Sequence, residues 1–180
     1  MADTKISALT DGTTANSTDQ VPIARGGSNF YVTPEYLMKG TTKYGVMSVE
    51  GGAVAESTVD ATPRQITAWV TNGASNGTTP DQANDHITID TAGVYLVIAC
   101  VSFSGSASKT FRIEIYLDTT GTNFSCIRKL GSGGDVGSAS VMGLVTCTAS
   151  QEISVYQSST DGGTAMTVSD ASLAVVRIGS

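Results

Sequence analysis

Two kinds of β-pattern alternate along this chain. Residues 94–103 read VYLVIACVSF, with almost no polar break, whereas 111–117 read FRIEIYL and alternate strictly. Side chains on a strand point to opposite faces with period two, so a strand with one face on a core and one in water must alternate. A strand apolar on both faces has to be covered on both. Short strands are predicted at 65–70, 86–90, 94–103, 110–118, 124–130, 139–148, 152–157 and 172–178. Gly93, Gly105, Gly121, the glycines between 131 and 137, and Gly162-Gly163 punctuate them. Eight strands in about 115 residues fit a β-sandwich of jelly-roll type.

The strands then sort. Segments 66–70, 94–103, 141–147 and 173–178 are apolar on both faces; 86–90, 111–117, 152–157 and, less cleanly, 124–130 alternate. In an eight-strand jelly roll the first, third, sixth and eighth strands form one sheet and the others the second. The pattern divides along that line. The sheet that is apolar twice over is expected to be buried in an oligomer. Three copies around an axis is the natural closed arrangement for a heterologous contact of this kind.

Upstream the pattern dissolves. Residues 1–43 hold scattered apolar anchors (Ile6, Leu9, Val21, Ile23, Phe30, Tyr31, Val32, Tyr36 and Leu37) between turn residues. Thr33-Pro34-Glu35 predicts a helix start, with Thr33 as N-cap and Pro34 in the first helical position, ending by Gly40. So few anchors cannot make an independent core, and this segment is expected to pack on symmetry mates or on another protein. Residues 44–62, YGVMSVEGGAVAESTVDAT, read as a linker with a little strand character, softest at Gly51-Gly52. The predicted organisation is therefore 1–43, a linker at 44–62, and a jelly-roll knob at 63–180.

Composition adds to this picture. Aromatic residues are 6% and charged residues 14%. Ser, Thr and Gly make up roughly a third, which favours short strands and turns over helical bundles. The net charge of −6 falls wholly in residues 44–180, because four basic and four acidic groups balance in 1–43. An acidic chain without a Lys/Arg cluster argues against a nucleic-acid partner. No segment approaches the ~18–20 apolar residues that span a bilayer, so no membrane partner is expected. No basic stretch followed by an apolar run opens the chain, so no signal peptide is expected and synthesis is placed in a host cytoplasm.

The residues for catalysis are sparse. The single histidine, His86, is read as a surface residue at a strand start, and it nearly excludes a His-based triad or metal site. The acidic pairs Asp81/Asp85 and Asp118/Asp135 lack the carboxylate density of a calcium loop. Gly131 to Gly137 is a flexible turn without the spacing of a nucleotide loop. Cys100, Cys126 and Cys147 are odd in number, widely spaced and in apolar strands, and are read as buried free thiols. Trp69 and Tyr116 could stack on a sugar, but Trp69 is expected to be buried. No catalytic residue, metal or cofactor is expected.

Two resemblances add to this. The segment 91–97 (TAGVYLV) resembles the third strand of the C1q/TNF-like trimeric jelly rolls. Residues 149–155 (ASQEISV) resemble the turn between their sixth and seventh strands, and 171–179 (ASLAVVRIG) their last strand. The resemblance covers about 63–180 and implies an all-β C1q/TNF-like jelly-roll sandwich that forms a homotrimer. It implies that Tyr95, Val97, Ala99, Val101, Leu173 and Val175 face the sandwich core. It implies that Leu96, Ile98, Cys100, Met142, Leu144, Ala174 and Val176 face the trimer axis.

The second resemblance lies in 5–10 (KISALT), 19–27 (DQVPIARGG), 31–33 (YVT) and Leu37. These are similar to the N-terminal anchoring segment of tailed-phage fibres, spikes and head decorations. By that likeness Ile6, Leu9, Val21, Ile23, Tyr31 and Leu37 would anchor the chain to the virion. The implied function is a capsid decoration (cement or head-fibre) protein on the virion surface, with the major capsid protein as partner. The alternative is a short tail-fibre or receptor-binding tip attached to a tail component. The absence of shaft repeats favours decoration. A glycan hydrolase is the remaining alternative, and the short chain without a carboxylate-rich aromatic cleft weighs against it.

Overall fold

The computed structural model describes residues 21–25, 28–32, 42–56, 59–133 and 135–179. The chain divides into two compact units, 1–42 and 43–180. Within the first, β1 (Val21–Arg25) and β2 (Ser28–Val32) pair antiparallel, from Val21 opposite Val32 to Arg25 opposite Ser28. The predicted helix from Thr33 and the anchors Ile6, Leu9 and Leu37 lie outside the described residues.

The second unit is two antiparallel sheets packed face to face. One carries β12 (Gly137–Cys147), β9 (Gly93–Gly105), β14 (Met166–Gly179), β3 (Tyr44–Val49) and β6 (Thr71–Asn76), in that order, with the short β4 (Val54–Ala55) on β14. The other carries β11 (Thr120–Lys129), β10 (Thr110–Leu117), β13 (Glu152–Ser158), β8 (His86–Ile89) and β7 (Thr78–Asp81), with β5 (Arg64–Gln65) also on β13. The doubly apolar segments 94–103, 141–147 and 173–178 fall together in the first sheet. The alternating segments fall together in the second.

Two expectations are corrected. The expected linker 44–62 contributes β3, which pairs with β14 from Val176 opposite Tyr44 to Ala171 opposite Val49. Gly45, Met47 and Val49 point into the core and Met47 is fully buried, so YGVMSV is a one-face strand whose glycine hides the alternation. The segment 66–70 is not a strand of the first sheet. Ile66 N–H donates to Val155 O in one sheet and Val70 N–H to Ser48 O in the other, so the segment crosses the end of the sandwich. It is apolar because Ile66, Ala68 and Trp69 fill the core there, with Trp69 Nε1 donating to Ile66 O at 3.1 Å. The edge position expected for it is taken by β6, whose TNGASN reads as loop by composition. On the other sheet β7 is an edge strand, the position where Pro80 is tolerated.

The core lies between the sheets. Tyr95, Val97, Ala99, Phe103, Leu173 and Val175 meet Phe111, Ile113, Ile115, Ile153 and Val155, all fully buried. Phe103 and Phe111 meet edge to face, with ring centroids 5.1 Å apart. Tyr95 Oη donates to Thr91 O at 2.7 Å, which satisfies its polar end.

Candidate functional site

The outward face of the β3–β14 sheet is assembled in rows fixed by strand register. Leu144 lies opposite Leu96, Leu96 opposite Val176, and Val176 opposite Tyr44. The next row is Met142, Ile98, Ala174 and Val46. Met142 is 66% exposed, Leu144 53% and Ile178, beyond the first row, 56%. An apolar patch of this kind on a sheet face marks a binding surface.

Further along the same face the chemistry changes. The third row is Ser140, Cys100, Ser172 and Ser48, and the fourth runs through Ser138, Ser102 and Asp170. Here the sheet carries a shallow groove lined by Glu50, Cys100, Ser102, Asp170 and Ser172. Gly51 N–H donates to Asp170 Oδ1 at 2.9 Å, and this bond holds the Asp170 carboxyl below its ordinary range. One half of the face is aliphatic; the other is hydroxyl-rich and acidic.

All seven residues that the resemblance assigns to the trimer axis (Leu96, Ile98, Cys100, Met142, Leu144, Ala174 and Val176) lie on this outward face. The six assigned to the core, Tyr95, Val97, Ala99, Val101, Leu173 and Val175, are buried between the sheets. Tyr44, Val46, Glu50, Asp170 and Ile178 join the face without having been singled out. Three of them lie in or beside β3, and the alternation of 44–49 was the signal that could have found them. Of the expected anchors, Val21 and Ile23 lie on β1 and Tyr31 on β2, where Tyr31 is 68% exposed.

The remaining candidates sort differently. Cys147 is buried, and desolvation pushes its thiol up to about 11; Cys126 is half-buried and its thiol is likewise raised by desolvation. Cys100 departs from the buried-thiol expectation: it is exposed on the sheet face, its Sγ 3.2 Å from Ser140 Oγ. His86 is not a surface residue. Its side chain is 14% exposed, with Nδ1 3.0 Å from Asn84 O and Nε2 3.5 Å from Glu152 Oε1. Asp81 accepts from Ala83 N–H and Asn84 N–H, Asp118 from Glu152 N–H, and Asp135 from Gly131 N–H. Asp81 and Asp135 thus close local turns, and Asp118 ties the β10–β11 turn to the start of β13. Tyr116 stacks on Tyr156 with centroids 3.8 Å apart, so that ring face is already covered. Among the described residues, no group of three or more His, Cys, Asp or Glu is placed to hold a metal.

No family model and no curated protein matches the sequence. Solved structures do match the fold. A structure of Eiger TNF from S. frugiperda superposes with a TM-score of 0.58 at 14% identity, over 76% of this chain and 94% of that one. Murine APRIL, in crystals at pH 5.0 and pH 8.5, superposes with a TM-score of 0.50 at 16% identity, over 76% of this chain and 100% of the crystallised one. At such identities the likeness shows the fold: the second unit is a TNF-like jelly roll.

Proposed function

We propose that the protein is a structural virion protein of a tailed bacteriophage: a homotrimeric capsid decoration protein whose N-terminal unit grips the major capsid protein while the jelly roll projects from the surface. The observation that carries this reading is the aliphatic outward face of the β3–β14 sheet, on a TNF-like unit that follows a separate N-terminal unit. Leu96, Ile98, Met142, Leu144, Ala174 and Val176 would be covered by the neighbouring copies. The N-terminal resemblance supports the virion and the anchoring role of Ile6, Leu9, Val21, Ile23, Tyr31 and Leu37. The contribution would be mechanical, without catalysis. Attachment to the assembled lattice alone stabilises that lattice by mass action, and three linked N-termini raise avidity even where each contact is modest.

The test compares particles with and without the protein. Resistance to heat and osmotic shock should fall in its absence while adsorption to host cells stays unchanged. Equal robustness with lost adsorption would overturn decoration in favour of a receptor-binding tip on the tail.

A further inference from the structure

The first unit carries a sheet with two unlike edges. Among the described residues that sheet has two strands, β1 and β2, in register from Val21 opposite Val32 to Arg25 opposite Ser28. Only two residues separate the strands, so the closing pair, Arg25 and Ser28, exchanges both N–H···O bonds. Along an antiparallel pair such positions alternate with positions whose N–H and C=O point away from the partner strand. Ile23 with Phe30 and Val21 with Val32 therefore bond across the ribbon. Pro22 with Tyr31 and Ala24 with Asn29 turn their backbone groups to the outer edges.

Pro22 has no N–H, and it falls where the ribbon itself needs none. Its ring closes the outer edge of β1, where Ala24 N–H is the one outward donor among the described residues. The outer edge of β2 keeps both donors and both acceptors, those of Asn29 and Tyr31. Tyr31 is also 68% exposed. A strand edge with its backbone groups open is a template for a further strand. A two-stranded ribbon is marginal in water until a further strand or a packed face supports it.

We propose that β2 pairs through this edge with an edge strand of the capsid surface, so that the N-terminal unit attaches by strand addition. The inference rests on the reading of that unit as the virion anchor and specifies how it grips. The rival occupant is a neighbouring copy, and symmetry disfavours it. Around a three-fold axis every contact is head to tail. β2 of one copy would then have to lie on β1 of the next, the edge that Pro22 closes. Pairing β2 with β2 needs a two-fold axis and would leave one hairpin of the three without a partner. Strand addition draws its affinity from main-chain bonds. That suits a segment whose apolar positions are few and scattered.

The experiment uses the full chain and particles lacking the protein. Backbone amide exchange is followed on the free chain and on loaded particles. The Asn29 and Tyr31 amides should exchange readily in the free chain and slow roughly tenfold or more on the particle, while those of Ile23 and Phe30 change less. Asn29→Pro and Tyr31→Pro each remove one outward donor and should weaken co-sedimentation with particles roughly tenfold or more. Asn29→Ala keeps the N–H and should lose far less than Asn29→Pro. Ala24→Pro makes the same change on the closed edge and should bind like the parent. Light scattering verifies that each variant keeps the parent's association state. Asn29 and Tyr31 amides already protected in the free chain would show that the chain covers this edge itself, and would overturn the proposal. Binding indifferent to proline at 29 and 31 would overturn it too, while leaving the anchoring role to another contact. A full chain that does not bind the particles at all would remove the anchoring reading, and this contact with it.

Discussion

Glu56 is a buried carboxyl of the second unit. It is 7% exposed, and its carboxylate accepts from Thr67 N–H at 3.0 Å and from Thr67 Oγ1 at 3.3 Å. Desolvation outweighs these bonds and raises its pKa, with a smaller push from Asp85. A carboxyl whose folded pKa exceeds its unfolded one supports the fold fully below the unfolded value, and that support is lost as pH rises through the folded value. Glu56→Gln keeps an acceptor for Thr67 and removes the charge. Its melting temperature should exceed that of the parent at pH 7, and the difference should shrink toward pH 4. A variant less stable than the parent at pH 7 would show that the ionised form is preferred.

Neighbouring positions on β9 offer a sharper contrast. Val97 is fully buried between the sheets, while Ile98 points outward. Val97→Asp places a charge in the core and should abolish cooperative melting. Ile98→Asp should leave the fold intact and cost several kcal/mol per copy in association, because the charge would be buried only in the trimer. Light scattering on the folded Ile98→Asp chain should report monomer or disordered aggregate. A stable trimer would mean that this face is not the one covered.

Among the elements, legibility followed the alternation of side chains. β8, β10 and, less cleanly, β11 could be read as strands with one wet face; β13 alternates in the same way, but Ser154 and Ser158 on its outward face are buried. β9, β12 and β14 could be read as strands with both faces apolar, and the same difference placed them in separate sheets. The apolar half of the candidate site was legible for the same reason. β3 was harder because Gly45 contributes no side chain to the pattern, and β6 because Thr, Asn, Gly and Ser write no pattern at all. The segment 66–70 misled in the opposite sense. Burial at the end of a sandwich needs apolar side chains but no ladder, and Ile66 and Trp69 supply them from a crossing segment. The Glu50–Asp170 half of the face could not be read from the chain, since it exists only where register brings β3, β9 and β14 together.

Gly143 shows what such register demands of a single residue. It lies on the inward face of β12, beneath the Phe124 ring. Gly143→Ala should push that ring away and cost about 1–3 kcal/mol in denaturant unfolding. Phe124→Ala in the same chain should recover part of that cost, because the two residues share one space. Additive losses in the double variant would mean that the ring moves aside freely.

At the scale of the whole molecule, β3 decides where the chain can be divided. A start near Thr58 would respect the linker expected at 44–62, but it would strip β3 from β14, exposing the ladder of residues 171–176 and removing Met47 and Val49 from the core. Such a chain should be insoluble or fail to melt cooperatively. A chain starting at Lys43 keeps every strand of the second unit and should fold and self-associate like the parent. These two truncations separate knob stability from virion attachment. If attachment resides in the N-terminal unit, the chain from Lys43 should remain trimeric yet fail to rebind particles stripped of the protein. The full chain should rebind with an affinity that falls steeply when its trimer is dissociated, because linked N-termini act together only while the knob holds them. Rebinding by the shorter chain at the parent's affinity would move the anchoring surface into the jelly roll.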